Sequence, residues 1–340
     1  MVPNDSQKNA RGDYRRDEKE DRFPALSLIP SAAPTLTLTA VFQQWEKRTR
    51  PSPNTLMTWR GCLKSLREHL GHDDAHRLTK ADLIGWKDSL LDRGLKPKTI
   101  NDSHLCAVRS VLAYAVSNDL LPNNAAGGVR AAVKVEAGED AEPYTDAEVA
   151  RLLEIASQQT DPKKRWLPML AASTGARIGE LAQIWGEHVR EENDIAYISI
   201  EPTKDGGRLK NAASERKVPL HPAVLAAGFL TFVRSKGDGP LFYGKASGDP
   251  TKRHPSKGVA NHLGTWIRAQ GFNNPRVSPL HGCRHWWKSA AFRAGVQYSL
   301  ADRLQGHGMR SVAARYRYFD LPTMASAVAL ILLPKTRQQV

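Results

Sequence analysis

Three short stretches in the second half of the chain are dense in side chains that suit phosphate chemistry. The first is Thr174-Gly175-Ala176-Arg177-Ile178-Gly179-Glu180-Leu181. Thr-Gly is a turn signal, so Arg177 falls near a helix start, and Glu180 three residues on can hold it in place. Alone, this reads as well as a capped helix with a surface ion pair. The second is His281-Gly282-Cys283-Arg284-His285-Trp286-Trp287-Lys288. Helical spacing puts His281, Arg284 and Lys288 on one face, a cationic stack that repels itself unless an anion sits among its members. Trp286 and Trp287 point elsewhere, toward a core. The third is Gln305-Gly306-His307, followed by Arg315-Tyr316-Arg317-Tyr318. Taken together the three supply what a phosphodiester reaction needs. Arginine offers planar paired donors for nonbridging oxygens, histidine adds a donor or base, and a phenol can act as nucleophile.

The order Arg, His-x-x-Arg, Gly-His, Tyr resembles the tyrosine recombinase (phage integrase) family, and the resemblance extends over roughly 280–300 residues. It implies a set of catalytic residues: Arg177, His281, Arg284, His307 and the nucleophile Tyr316, with Tyr318 as the fallback. Tyr316 stands nine residues beyond His307. Gln305 replaces the leucine usual before Gly-His. The family also places a lysine in a β-hairpin. Lys204 and Lys210 are the candidates, and Lys210 is preferred because the run Leu209–Pro222 resembles the family's lysine, serine, arginine and Val-Pro-Leu pattern. Glu180 takes a supporting role.

The resemblance implies cleavage and rejoining of DNA strands through a 3′-phosphotyrosyl intermediate, with no metal or nucleotide cofactor. Its partners would be duplex DNA at recombination sites, sister copies in a homotetramer, and accessory DNA-bending proteins. The setting would be cytoplasmic and nucleoid-associated. A type IB topoisomerase uses a similar residue set and is the nearest alternative. A noncatalytic DNA-binding protein that keeps the fold is the alternative of a different class.

Positioning such residues requires two kinds of scaffold. From Leu36 to about Asn118 the apolar spacing is helical: Leu38, Val41, Phe42 and Trp45 share one face. Ser52-Pro53 opens a second helix that Gly71 stops. Thr79-x-x-Asp82 opens a third, and a fourth spans about Lys98–Ser117. Thr145-x-x-Glu148 is a full capping box that opens the second domain. Two β-rich runs come after it, Ile195–Ile200 and Lys217–Leu220, joined by a loop containing Gly206-Gly207. Pro240–Tyr243 is a weaker strand candidate. The remainder is helical, ending in an apolar segment, Met324–Leu333, that could pack on its own domain or dock on a neighbour.

The fold class expected is mainly α with a small antiparallel sheet, in two domains. Residues 1–35 read as a flexible tail, 36–128 as a helical core-type DNA-binding domain, 129–143 as a linker, 144–335 as a mixed α/β catalytic domain and 336–340 as a second tail.

Composition frames this reading. With 49 Lys+Arg against 35 Asp+Glu in 340 residues, the formal charge is +14. That balance favours a polyanionic partner. A hydrophobic fraction of 41% excludes a mainly disordered chain. Three scattered cysteines, Cys62, Cys106 and Cys283, form no metal-type spacing or disulfide framework and suit a reducing compartment. No apolar run approaches the ~20 residues of a membrane span, and no secretory pattern opens the chain.

Overall fold

Several helices begin where side chains can satisfy the free N–H groups of a first turn. Helix α1 (Leu38–Thr49) starts at Thr37, whose hydroxyl accepts from Ala40 N, and buries Leu38, Val41, Phe42 and Trp45. Helix α2 (Pro53–Leu70) starts after Ser52, which accepts from Thr55 N at 3.1 Å. It ends at Gly71, in a left-handed conformation (φ +69°). Its Trp59 stacks on Trp45 with ring centroids 4.6 Å apart. Helix α3 (Lys80–Asp92) carries the full Thr79/Asp82 capping box.

This computed structural model describes residues 36–133, 141–209, 214–244, 246, 252–307 and 319–335. Lys210, Tyr316 and Tyr318 lie outside the described residues, as do the expected terminal tails, residues 1–35 and 336–340.

The expected fourth helix has a flaw in the middle. A π-helical stretch, Ile100–Leu105, separates a first turn at Pro97–Thr99 from helix α4 (Cys106–Ser117). Asn101 lies in this stretch and clasps Ala131 from both sides, donating to its carbonyl and accepting from its N–H, each at 2.9 Å. Arg109 and Asn124 add further bonds, so the chain leaving α4 lies on its own unit with Ala126, Val129 and Ala131 buried.

The described residues form two units, one of residues 36–51 and 56–132, the other of residues 52–55 and 133–335, each with its own apolar core. The second unit opens with α5 (Asp146–Ser157) on the Thr145/Glu148 capping box. Helix α6 (Pro162–Thr174) has Asp161 as its cap and Gly175 as its left-handed stop. A short helix α7 (Ile178–Leu181) leads to a three-stranded antiparallel sheet in the order β1 (Val189–Glu192), β2 (Ile195–Ile200), β3 (Arg216–Pro219). Strand β1 escapes the sequence because Val-Arg-Glu-Glu carries no apolar alternation; its residues after Val189 are exposed. Pro240 makes only an isolated bridge to Trp185, so the expected strand there is a single contact.

The rest is helical: α8 (Pro222–Ala226), α9 (Phe229–Lys236), α10 (Ser256–Ala269), α11 (Gly282–Arg293), α12 (Tyr298–Gln305) and α13 (Leu321–Ala329). Helix α13 begins before the apolar run because the Asp320 carboxylate accepts from Thr323 N at 2.8 Å and Pro322 suits the first turn. It packs on β3 and β2, burying Leu321, Met324, Ala327 and Val328. Of the two roles open to this segment, the described one is packing on its own unit. With α13 over the sheet, β2 is buried from Ala196 to Ile200, on both faces.

Candidate active site

Two helix ends organise the cationic residues. Helix α6 stops at Gly175 (φ +62°), where a Cβ would lie 2.7 Å from the Trp287 ring, so only glycine fits. Helix α12 stops at Gly306 (φ +68°), where a Cβ would meet Arg216 Nη1 at 2.4 Å. Both ends present carbonyls without helical partners, at the negative pole of the helix dipole.

Three arginines from three elements answer the α12 end. Arg216 Nε donates to Leu304 O at 2.7 Å, Arg284 Nη1 to Gln305 O at 2.7 Å, and Arg177 Nη2 to Gly306 O at 3.2 Å. Arg284 Nη1 also reaches Gly175 O at 2.8 Å, joining the two helix ends. Consecutive main-chain carbonyls thus fix the guanidinium groups relative to one another.

Glu180 links two of them. Its Oε1 accepts from Arg177 Nη1 and its Oε2 from Arg216 Nη2, both at 2.7 Å. Oε2 also accepts from the Arg177 backbone N–H at 3.2 Å, which caps α7. Burial by itself would raise the Glu180 carboxyl; Arg216 and then Arg177 overcome that and hold it below the usual glutamate range. The supporting role expected for Glu180 has this geometric content.

Arg216 belongs to none of the three motifs, yet it is nearly inaccessible and uses all three guanidinium nitrogens on Glu180, Leu304 O and Ser214 O. A signal for it exists. In Arg216-Lys217-Val218-Pro219-Leu220 the strand period of two puts Arg216 on the side of buried Val218. A charge facing a core must find a partner of opposite sign.

Arg284 lies on α11, whose register is set by Trp286 and Trp287, both core residues as expected. Trp287 Nε1 donates to Ser173 O at 3.1 Å, tying α11 to the end of α6. Arg284 is buried, and its Nη2 has no hydrogen-bond partner among the described residues. Burial first, then the neighbouring Arg177, lowers its pKa to about 10, so it stays charged at neutral pH. An unpaired buried guanidinium N–H carries a desolvation cost that an anion would offset.

His281 sits at the N-terminal boundary of α11 and is exposed. Desolvation of its ring, then the Arg284 guanidinium, with His285 and Arg177 adding to it, hold it below the usual imidazole value, so it is neutral at pH 7 and able to accept a proton. His307 comes directly after Gly306; its Nδ1 lies 2.9 Å from Asp302 Oδ1. Lys288 bonds the same carboxylate oxygen, so the expected repulsion on the α11 face is relieved in part by Asp302, which no motif or spacing singles out.

Lys204 is exposed, with its Nζ 2.6 Å from Glu187 Oε2. It stands in a turn that Asp205 anchors by accepting from Thr203 Oγ1 at 2.5 Å, His254 Nε2 at 3.0 Å and Tyr243 OH at 3.0 Å. Asp205, His254 and Ser256 have the order of a hydrolase relay. Ser256 is 1% exposed, however, and its hydroxyl bonds His254 Nδ1 inside the protein, so it meets no substrate.

The sequence profile of the Phage integrase family matches residues 144–320. No curated protein sequence matches the chain. Among solved structures, a Tn1549 transposon integrase fragment in complex with a circular intermediate DNA is similar at TM-score 0.61 and 17% identity, covering 86% of this chain and 98% of that one. A lambda integrase dimer bound to a COC′ core site gives TM-score 0.58 and 16% identity over 84% and 100% of the two chains. A lambda integrase tetramer bound to a Holliday junction gives TM-score 0.58 and 16% identity over 90% and 86%. At these identities the likeness is one of fold.

Proposed function

The chain belongs to the phage integrase family and is a site-specific recombinase of the tyrosine type; from that premise we propose that its reaction is carried by Arg177, His281, Arg284, His307, Tyr316 and a lysine of the β2–β3 connection. The observation that supports this most is the buried Arg284 Nη2 without a partner among the described residues, inside a frame of arginines fixed on main-chain carbonyls. Such a frame is preorganised to receive the nonbridging oxygens of one phosphodiester.

In this reading the Tyr316 phenolate oxygen attacks phosphorus and His281 accepts the phenolic proton. Arg177, Arg284 and His307 take up the charge that grows on the phosphorane. Lys210, with Lys204 as the alternative, protonates the departing 5′-oxygen. The phosphotyrosyl bond retains the energy of the broken diester, so a 5′-hydroxyl from another strand can reverse the step. The domain boundaries at residues 36–128, 129–143 and 144–335 belong to the same proposal, with both domains contacting duplex DNA. So do assembly of four copies on DNA, accessory DNA-bending proteins, and a cytoplasmic, nucleoid-associated setting. Among the described residues no helix is long and apolar enough to cross a membrane.

A nicked suicide duplex tests the chemistry. Wild type should form an adduct that survives detergent, Tyr316→Phe should form none, and Tyr318→Phe should keep it. Adduct formation by Tyr316→Phe, or none by wild type, overturns the assignment. Lys210→Ala and Lys204→Ala, assayed on a 5′-bridging phosphorothiolate, identify the acid: the sulfur leaving group needs no proton, so only the variant lacking the acid is rescued.

A further inference from the structure

His307 and Asp302 are brought together by the way α12 ends. His307 N–H donates to Asp302 O at 3.0 Å and Gly306 N–H to Arg303 O at 3.0 Å, a left-handed stop that folds the chain back over the helix's last turn. The histidine Nδ1 then lies 2.9 Å from Asp302 Oδ1. From the neighbouring helix α11, Lys288 Nζ bonds the same oxygen and stands 3.9 Å from the centroid of the Tyr298 ring.

The hydrogen-bonding inventory restricts the ring. An ionised carboxylate only accepts, so Nδ1 must carry the hydrogen. With Nδ1 protonated, a neutral His307 has a lone pair at Nε2. It can donate from Nε2 to a phosphate oxygen only as an imidazolium, with both nitrogens protonated.

We propose that Asp302 is a positioning residue that makes His307 bind the scissile phosphate as an imidazolium, so that one proton is taken up from solvent at Nε2 when DNA enters the site and is returned when DNA leaves. The proposal rests on the reading of His307 as a phosphate ligand. No covalent bond between heavy atoms changes in this step.

Among the described residues, the charged groups that act on His307 are Asp302 on the helix just before it and Arg284 and Lys288 from α11. Desolvation, Arg284 and Lys288 outweigh Asp302 and hold the free ring below the ordinary imidazole value. A phosphate adds negative charge on the Nε2 side and reverses that balance. His307 thereby brings a full positive charge to the transition state, yet does not add to the repulsion among the arginines while the site is empty.

The test is the pH dependence of single-turnover adduct formation on the suicide duplex, over roughly pH 5 to 9, for wild type, Asp302→Asn, Lys288→Met and His307→Asn. The alkaline fall in wild-type rate marks loss of the imidazolium. Removing the carboxylate charge in Asp302→Asn should move that midpoint down by about one pH unit or more. Removing the cation in Lys288→Met should move it up. Opposite displacements by two partners of one oxygen are not what a loss of folding produces. Displacements of the same sign, or none in either variant, overturn the proposal. His307→Asn should lose about 100-fold in rate together with that limb; undiminished cleavage by it would overturn the role of His307 itself, an outcome separate from failure of the Asp302 variant.

Discussion

At the scale of single residues, Arg216 is a side chain whose partners all lie within the protein. Arg216 and Glu180 form a buried pair, and removing one member of such a pair costs about 3–5 kcal/mol because the other charge is left without compensation. Arg216→Met should therefore lower stability by about that amount in urea unfolding, and Arg216→Lys should recover little of it, since a single ammonium cannot serve three partners fixed in a fork. Acid should reveal the same pair. The Glu180 pKa is depressed in the folded chain, so its contribution is fully present above the ordinary glutamate value and is lost as pH falls through the lower, folded one. Glu180→Gln should flatten the acid limb of a stability-against-pH curve and lower the plateau at pH 7. An unchanged acid limb would refute this account. Arg177, by contrast, is a donor to the phosphate in the proposed reaction, so Arg177→Ala should lose about 100–1000-fold in cleavage rate.

At the scale of elements, side-chain caps mark the starts of several helices, and Gly175 and Gly306 allow close approach at two helix ends. A Cβ at position 306 would press on Arg216 and require a left-handed backbone, so Gly306→Ala should displace the arginine frame and abolish adduct formation. Helix α13 is held on the sheet by its apolar face, with His221 Nε2 bonded to Ile331 O at 3.0 Å just past its end. Ile331 is 1% exposed, and Ile331→Ala should cost about 2–5 kcal/mol in thermal or urea unfolding.

These elements were legible to different degrees. Thr79, Thr145 and the Ser52-Pro53 pair marked three helix starts because capping is local chemistry. The π-helical stretch at Ile100–Leu105 left no trace in the apolar spacing, since its residues keep a helical pattern while the hydrogen-bond partners shift by one. Within the candidate site, Arg177, Arg284 and His307 could be named from motifs, and Glu180 from its spacing to Arg177. Asp302 could not, because its meeting with Lys288 depends on how two helices pack, and local sequence does not encode that.

At the scale of the whole molecule, a charge of +14 serves two tasks that salt can separate. Contacts to DNA phosphates release counterions, so affinity should fall steeply and linearly on a log–log plot against salt. Neutralising a lysine remote from the site should reduce that slope by about 1 for each phosphate no longer bound, and leave cleavage by bound enzyme unchanged. Binding measured by fluorescence anisotropy at several salt concentrations, beside single-turnover cleavage at saturation, checks both halves. Arg177→Ala should show the reverse pattern, with binding largely kept and cleavage slowed about 100–1000-fold.

The arginine frame is anchored on main-chain oxygens of Leu304, Gln305 and Gly306, and this has a consequence for how such a chain can drift. Every residue type offers the same carbonyl, so the side chains at 304 and 305 can be exchanged without releasing a cation. Gln305 shows the two roles side by side: its carbonyl holds Arg284 Nη1, and its side-chain amide separately donates to Arg284 O at 2.9 Å. Burial limits the first two positions to side chains that pack, Leu304 and Gln305 being 0% and 1% exposed, while the third is limited to the residue that has no Cβ. A cation frame held in this way keeps its anchors through any change of side chain that the surrounding core accommodates, because the main-chain carbonyl is common to all residue types.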